Sequence, residues 1–183
     1  MGIVIDPAKV TESGEFCLNR LTELSQLGLP PGQLVVSICT AVEMHVARVL
    51  ARMVVVSGVQ EQHLGDYMVK RLEDDMTRSW ASRKKWLGEG FAVVPRYQEF
   101  DVLVELRNAV VHGDEALSPV QERKPIAKLI ELRKQLRQRL NVELYGRASF
   151  APDSASRAVD IARAFVADLD GLVLDRHPEA RRL

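Results

Sequence analysis

Apolar positions along this chain recur every three to four residues almost from end to end, the period of helices that bury one face. Between residues 11 and 27 the inward row is Cys17, Leu21 and Leu24, and the pattern stops before "LGLPPG". "GQLVVSICTAVEMHVARVLARMVVVSG" predicts a long second helix over 33–57, ended near Gly58. Residues 60–77 repeat the period through Leu64, Met68, Leu72 and Met76, and 78–88 follow with Trp80, Leu87 and then Phe91 on one face. After the loop around Pro95 comes "FDVLVELRNAVVHGDE", a helix over about 98–113. "SPVQ" reads as a capping box in which Ser118 caps, Pro119 suits the first turn and Gln121 reaches back. The helix it opens is expected to run to about Leu140, bent at Pro125, with Ile126, Leu129, Ile130, Leu136 and Leu140 inward. "VELYGRASF", 142–150, is extended or a small hairpin, and a last helix spans about 154–174 on Ala155, Val159, Ala162, Phe165, Val166 and Leu169. The expectation is an all-α protein, a single bundle of six or seven helices over residues 1–183.

Composition narrows this picture a little. A chain of 183 residues with 46% hydrophobic and 27% charged residues suffices for one cored domain and is short for two. Net charge is zero, so global charge names no partner. "MGIVIDPAKV" has no basic segment ahead of an apolar run, Asp6 stands where myristoylation wants Ser or Thr, and no stretch reads as a membrane span. A cytoplasmic protein without a membrane segment is expected. The two cysteines, Cys17 and Cys39, sit among apolar neighbours at helical spacing and read as buried free thiols. No histidine pair has metal-ligand spacing, and no cofactor or metal is expected.

One residue breaks the helical pattern. On the helix over 98–113, the neighbours of Arg107 three and four residues away are Leu103, Val104, Val110 and Val111, all apolar, while Asp101, Glu105, Asn108 and His112 gather on the opposite stripe. A guanidinium keeps its proton at neutral pH, so a buried Arg107 requires an anion from the protein or from a ligand. Glu43 shows the same anomaly in the second helix, in a row with Val36, Cys39, Thr40, Val46, Ala47 and Leu50, whereas His45, Arg48 and Arg52 read as the solvated face. Two readings follow: an Arg107–Glu43 ion pair that docks two helices, or a site for an external anion.

"RNAVVHG" places a polar residue after the arginine, a histidine five residues on and a glycine closing the helix. Together with the Glu-bearing helix "AVEMHVARVL" upstream, it resembles the R-x-x-x-x-H motif of the HEPN superfamily, over residues 33–113. Many members of that family are metal-independent endoribonucleases of toxin–antitoxin, anti-phage and RNA-processing systems, in which the motif helices of two copies face each other. The resemblance implies a homodimer acting on RNA, with Arg107, His112, Asn108 and Glu43 in the site and a cognate antitoxin or neighbouring-gene partner. The chemistry agrees with the residue types. Cleavage through the ribose 2′-hydroxyl needs a proton-transfer group, for which His112 is suited, and a cation for the phosphorane, for which the planar fork of Arg107 is suited. The alternative is a non-catalytic helical module that binds a nucleotide or a partner protein, with Arg107 and Glu43 as a structural pair.

A basic stretch adds a candidate RNA surface. From Val120 to Arg147 stand Arg123, Lys124, Lys128, Arg133, Lys134, Arg137, Arg139 and Arg147 against three acidic residues. The first six are the expected RNA-binding set, and a solvated helix face is the plainer explanation for them. "SRKKW", 82–86, is a weaker basic cluster. His45 and His63 read as solvated, His177 as part of the tail, and Trp80, Trp86 and Phe91 as core.

Overall fold

The computed structural model describes residues 5–58, 65–76 and 79–182, and in it the chain is mainly α-helical. Among the described residues stand eight α-helices: α1 (Glu12–Gln26), α2 (Pro31–Val56), α3 (Gly65–Met76), α4 (Trp80–Lys85), α5 (Tyr97–His112), α6 (Pro119–Glu122), α7 (Ile126–Gln135) and α8 (Ser154–Arg176). A hairpin of β1 (Val142–Leu144) and β2 (Ala148–Phe150) pairs Val142 with Phe150 and Leu144 with Ala148.

The helix count exceeds the expected six or seven because of Pro125. Proline lacks the N–H that would bond one turn back, and its ring crowds that turn. Pro125 takes φ −53° and ψ 142° and opens α7, so the single helix expected over 119–140 is divided. The capping box at Ser118 is present: its side chain accepts from Gln121 N, and the Gln121 side chain accepts from Ser118 N at 2.9 Å. Gly58 ends the second helix with φ 64°, a left-handed conformation that suits a residue without a Cβ.

Two expectations about burial are overturned here. Ile126 and Ile130 are 76% and 60% exposed, so only Leu132, Leu136 and Leu140 carry the buried side of this segment. His45 is not solvated but 1% exposed. Helix α2 is the one described helix long and apolar enough to cross a membrane by length and composition; half of its most apolar window is buried inside the protein, as in a core helix. His63 and Leu64 lie outside the described residues.

The described residues form two compact units. One takes Asn19–Ala41 and Tyr97–Ala164, and the other takes residues 5–18, Val42–Arg96 and 165–182. In the second unit a buried polar chain joins three helices. Asp170 of α8 is fully buried, and its Oδ2 accepts from the backbone N and the Oγ1 of Thr11 at 2.9 and 3.0 Å. Its Oδ1 lies 2.8 Å from Nε2 of His45. Thr11 Oγ1 in turn accepts from Gly14 N at 3.0 Å, which caps the first turn of α1. The backbone comes so close that a Cβ on Gly14 would stand 1.8 Å from Asp170 Oδ2, so only glycine fits. Burial and the Asp170 carboxylate together push the Cys17 thiol up to about 12, so it is inert; both cysteines are buried thiols outside any disulfide. Elsewhere in this unit Trp80 meets Phe165 edge-on at 5.7 Å, and Trp86 Nε1 donates to Asp75 at 3.1 Å.

Removing the carboxylate leaves three buried donors without an acceptor, each costing about 1–3 kcal/mol. Asp170→Ala is therefore expected to lower stability by at least ~3 kcal/mol. Denaturant unfolding followed by circular dichroism measures it, and a variant as stable as the parent would contradict the role assigned to Asp170.

Candidate functional site

The other unit holds the motif helix. Along α5 the buried residues are Phe100, Val102, Leu103, Val104, Leu106 and Ala109. The buried face fades over the last turn, where Val110 is half-buried and Val111 is 48% exposed. Arg107 and Asn108 are half-buried and His112 is exposed. Five residues at about 100° each put Arg107 and His112 roughly 140° apart around the helix. One copy of α5 thus presents the two side chains to different directions, with Val111 surfacing next to the arginine row.

The turn after His112 is closely determined. Gly113 N donates to Ala109 O at 3.0 Å, and Ala116 N donates to Gly113 O at 2.9 Å. A Cβ on Gly113 would meet the Ala116 carbonyl oxygen at 2.3 Å and that of Ala109 at 2.8 Å, so a side chain here would displace backbone. Asp114 and Glu115 then adopt φ of 50° and 67°, unfavourable for residues with a Cβ. The hairpin holds them there: Arg147 pairs with Asp114, and Ala148 N donates to Glu115 O at 2.6 Å.

The same hairpin reaches the basic helix. Arg133 Nε donates to Leu144 O at 2.8 Å, and its guanidinium lies 5.3 Å from the ring centre of Tyr145, which is 71% exposed. In this way α7, the hairpin and the turn after His112 are one connected surface. The charges on it are partly matched. Lys124 pairs with Glu105 at 2.7 Å, Arg139 with Glu99 at 2.6 Å, Arg137 with Glu143 at 3.9 Å, and Arg147 with Asp114. Gln121 Nε2 donates to both the backbone and side chain of Glu105 at 2.8 Å, fastening the segment around α6 to α5. Among the described residues Arg123, Lys128 and Lys134 are exposed and form no ion pair, so the six-residue RNA-binding set reduces to these as its uncommitted charges.

Glu43 belongs to the unit that lacks α5, and there its carboxylate lies 3.4 Å from Arg83 Nη1, with both side chains largely buried. Arg83 comes from the "SRKKW" cluster, so part of that cluster is structural. His177 sits 3.2 Å from Glu179 near the C-terminal turn. No group of three or more His, Cys, Asp or Glu side chains able to hold a metal occurs among the described residues.

Ser13 and Asp170 went unrecognised in the sequence. Ser13 Oγ lies 3.0 Å from Nδ1 of His45, whose Nε2 faces Asp170, giving a buried Ser–His–Asp chain. A signal for it existed. Asp170 stands in an apolar row with Val166 and Val173, the same anomaly that singles out Arg107.

Compared with known proteins, the chain matches no family model, and neither a curated protein nor a solved structure matches it. The resemblance of α5 to the HEPN motif rests on its own residues.

Exposed unpaired charges that follow RNA phosphates give salt-dependent affinity. Reversing Arg123, Lys128 and Lys134 to Glu together is expected to weaken RNA binding at least ~10-fold at about 0.1 M salt without lowering the melting temperature. Fluorescence anisotropy with a labelled RNA measures it, and unchanged affinity would return these residues to an ordinary solvated face.

Proposed function

We propose that this chain is a HEPN-like, metal-independent endoribonuclease, a cytoplasmic toxin or anti-phage component that acts as a homodimer. The placement of His112 supports this most. It is exposed at the end of α5, on a turn that the hairpin ties to the basic helix α7.

In this reading RNA supplies its own nucleophile. The ribose 2′-hydroxyl attacks the adjacent phosphorus, the bond to the 5′-oxygen breaks, and a 2′,3′-cyclic phosphate is left. His112 transfers a proton in one half of the exchange. Arg107 offers two parallel N–H donors to the phosphorane oxygens, a fork that lysine lacks. Asn108, one turn before His112, contacts a phosphate oxygen or steadies the ring. Because Arg107 and His112 point roughly 140° apart on one helix, the arginine and histidine at a single phosphate come from two copies of α5. The apolar surface at Val110 and Val111 supplies part of that contact.

A second reading keeps the fold and drops the chemistry. Half of the eight basic side chains over 120–147 are matched to carboxylates, which favours a non-catalytic helical module that binds a nucleotide or partner protein. The two separate on one experiment. Wild type and His112→Ala, each repurified to remove contaminating nucleases, are incubated with cellular RNA in EDTA. The ribonuclease reading expects cleavage by the wild type, cyclic phosphate ends, and a loss of about 100-fold or more in the variant with its melting temperature kept. Equal cleavage by both, or none by either, sinks it in favour of the binding module.

A further inference from the structure

The buried chain in the unit without α5 has a feature that holding helices together does not explain: it ends at the wall of a cleft. Asp170 accepts two bonds from Thr11 on one oxygen and faces His45 Nε2 with the other at 2.8 Å. An ionised carboxylate only accepts, so Nε2 carries the ring hydrogen. In the tautomer with that hydrogen alone, Nδ1 offers its lone pair 3.0 Å from Ser13 Oγ, and the serine hydroxyl donates to it. Thr11 Oγ1 donates to Asp170 and accepts from Gly14, and its remaining lone pair, 3.4 Å from Ser13 Oγ, is a longer alternative for the serine hydrogen than Nδ1 at 3.0 Å. This is the hydrogen-bond order that activates a serine, with the two ring nitrogens in exchanged places.

Ser13 lines an open cleft of about 590 Å³ together with Phe16, Arg48, Arg52 and Val55. The apolar part is formed by Phe16 and Val55. Arg48 lies over the Phe16 ring at 5.1 Å, and Arg52 donates to the Glu179 carbonyl at 3.2 Å, which holds both arginines in the lining of the cleft that Ser13 shares. Ser13 stands in the first turn of α1, where the positive end of the helix adds to their charge. Glu12 also lines the cleft, so its wall carries two positive side chains against one negative, a balance that favours an oxyanion formed there.

We propose that Ser13 is the nucleophile of a second catalytic site, an esterase for carboxylic esters with a short acyl chain, preferring an acyl group that carries its own carboxylate. Ser13 Oγ bonds to the ester carbonyl carbon while its proton passes to His45 Nδ1. The bond to the leaving alcohol breaks, and that proton goes to the departing oxygen, leaving an acyl ester on Ser13. Water then attacks the acyl carbon, gives a proton to Nδ1, and the proton returns to Ser13 Oγ as the carboxylic acid is released. Asp170 is a positioning residue: it keeps Nε2 protonated and the ring turned towards Ser13.

The test uses the full chain with an alkyl fluorophosphonate, which phosphonylates activated serines and releases fluoride. Peptide mass mapping then locates the adduct. The expected result is modification of Ser13 in the folded protein and not in the urea-unfolded one. Steady-state hydrolysis of p-nitrophenyl acetate and of p-nitrophenyl hemisuccinate should be at least ~100-fold slower in Ser13→Ala, with the hemisuccinate the faster substrate for the wild type. Losing one hydroxyl leaves the His45–Asp170 bond in place, so Ser13→Ala is expected to fold, as circular dichroism would verify. His45→Gln gives a second arm in which Ser13 remains and its labelling should stop. A folded wild type whose Ser13 stays unmodified at millimolar probe, or a Ser13→Ala variant that hydrolyses both esters at the wild-type rate, would overturn the proposal.

Discussion

A carboxylate without access to water organises one half of this protein. Asp170 is fully buried, and a charge in that position is tolerated only where donors surround it. The three donors it finds are the backbone and hydroxyl of Thr11 and the imidazole of His45. From that requirement follow the start of α1, the orientation of His45 within α2 and the absence of a side chain at Gly14. The same demand sets Ser13 against the free nitrogen of the ring. One polar constraint thus decides where three helices meet and places a hydroxyl at a cleft.

The unit that holds α5 is governed by a different device. There the carboxylates lie at the edges of the core and face basic side chains: Glu105 takes Lys124 and Gln121, Glu99 takes Arg139, and Asp114 takes Arg147. Such partly exposed pairs add little stability individually, about 0–1 kcal/mol. Their effect is geometric, because they clamp the segment around α6 to α5 and the hairpin to the turn after His112. The left-handed Asp114 and Glu115 persist because the hairpin holds them beside the exposed His112.

Much of this was readable from residue order alone. The helical period, the capping box at Ser118, the hairpin over 142–150 and the stop at Gly58 all depend on local chemistry, and each is present. In the sequence Pro125 looks like a bend because the apolar pattern resumes on its far side; Ile126 and Ile130 restore the period yet are exposed. In the sequence His45 looks solvated, because a polar residue beside Arg48 and Arg52 resembles part of a wet stripe. Its burial depends on Ser13 and Asp170, which are 32 and 125 residues away, and no local pattern links them. The Arg107 anomaly was legible for the reason Asp170 should have been, an ionisable group at an apolar position. The two differ in that "RNAVVHG" has a recognisable resemblance around it and "ADLDGLV" has none.

The functional reading turns on whether Arg107 and His112 of different copies meet at one phosphate, and subunit mixing tests that most directly. Arg107→Ala and His112→Ala are each prepared in inactive form, then combined, unfolded, refolded together and assayed on RNA in EDTA. If each site takes its arginine from one copy and its histidine from the other, mixed dimers hold one intact site, and cleavage returns in the mixture although neither variant alone has any. A mixture confirmed to contain mixed dimers that remains as inactive as its components would contradict the composite site.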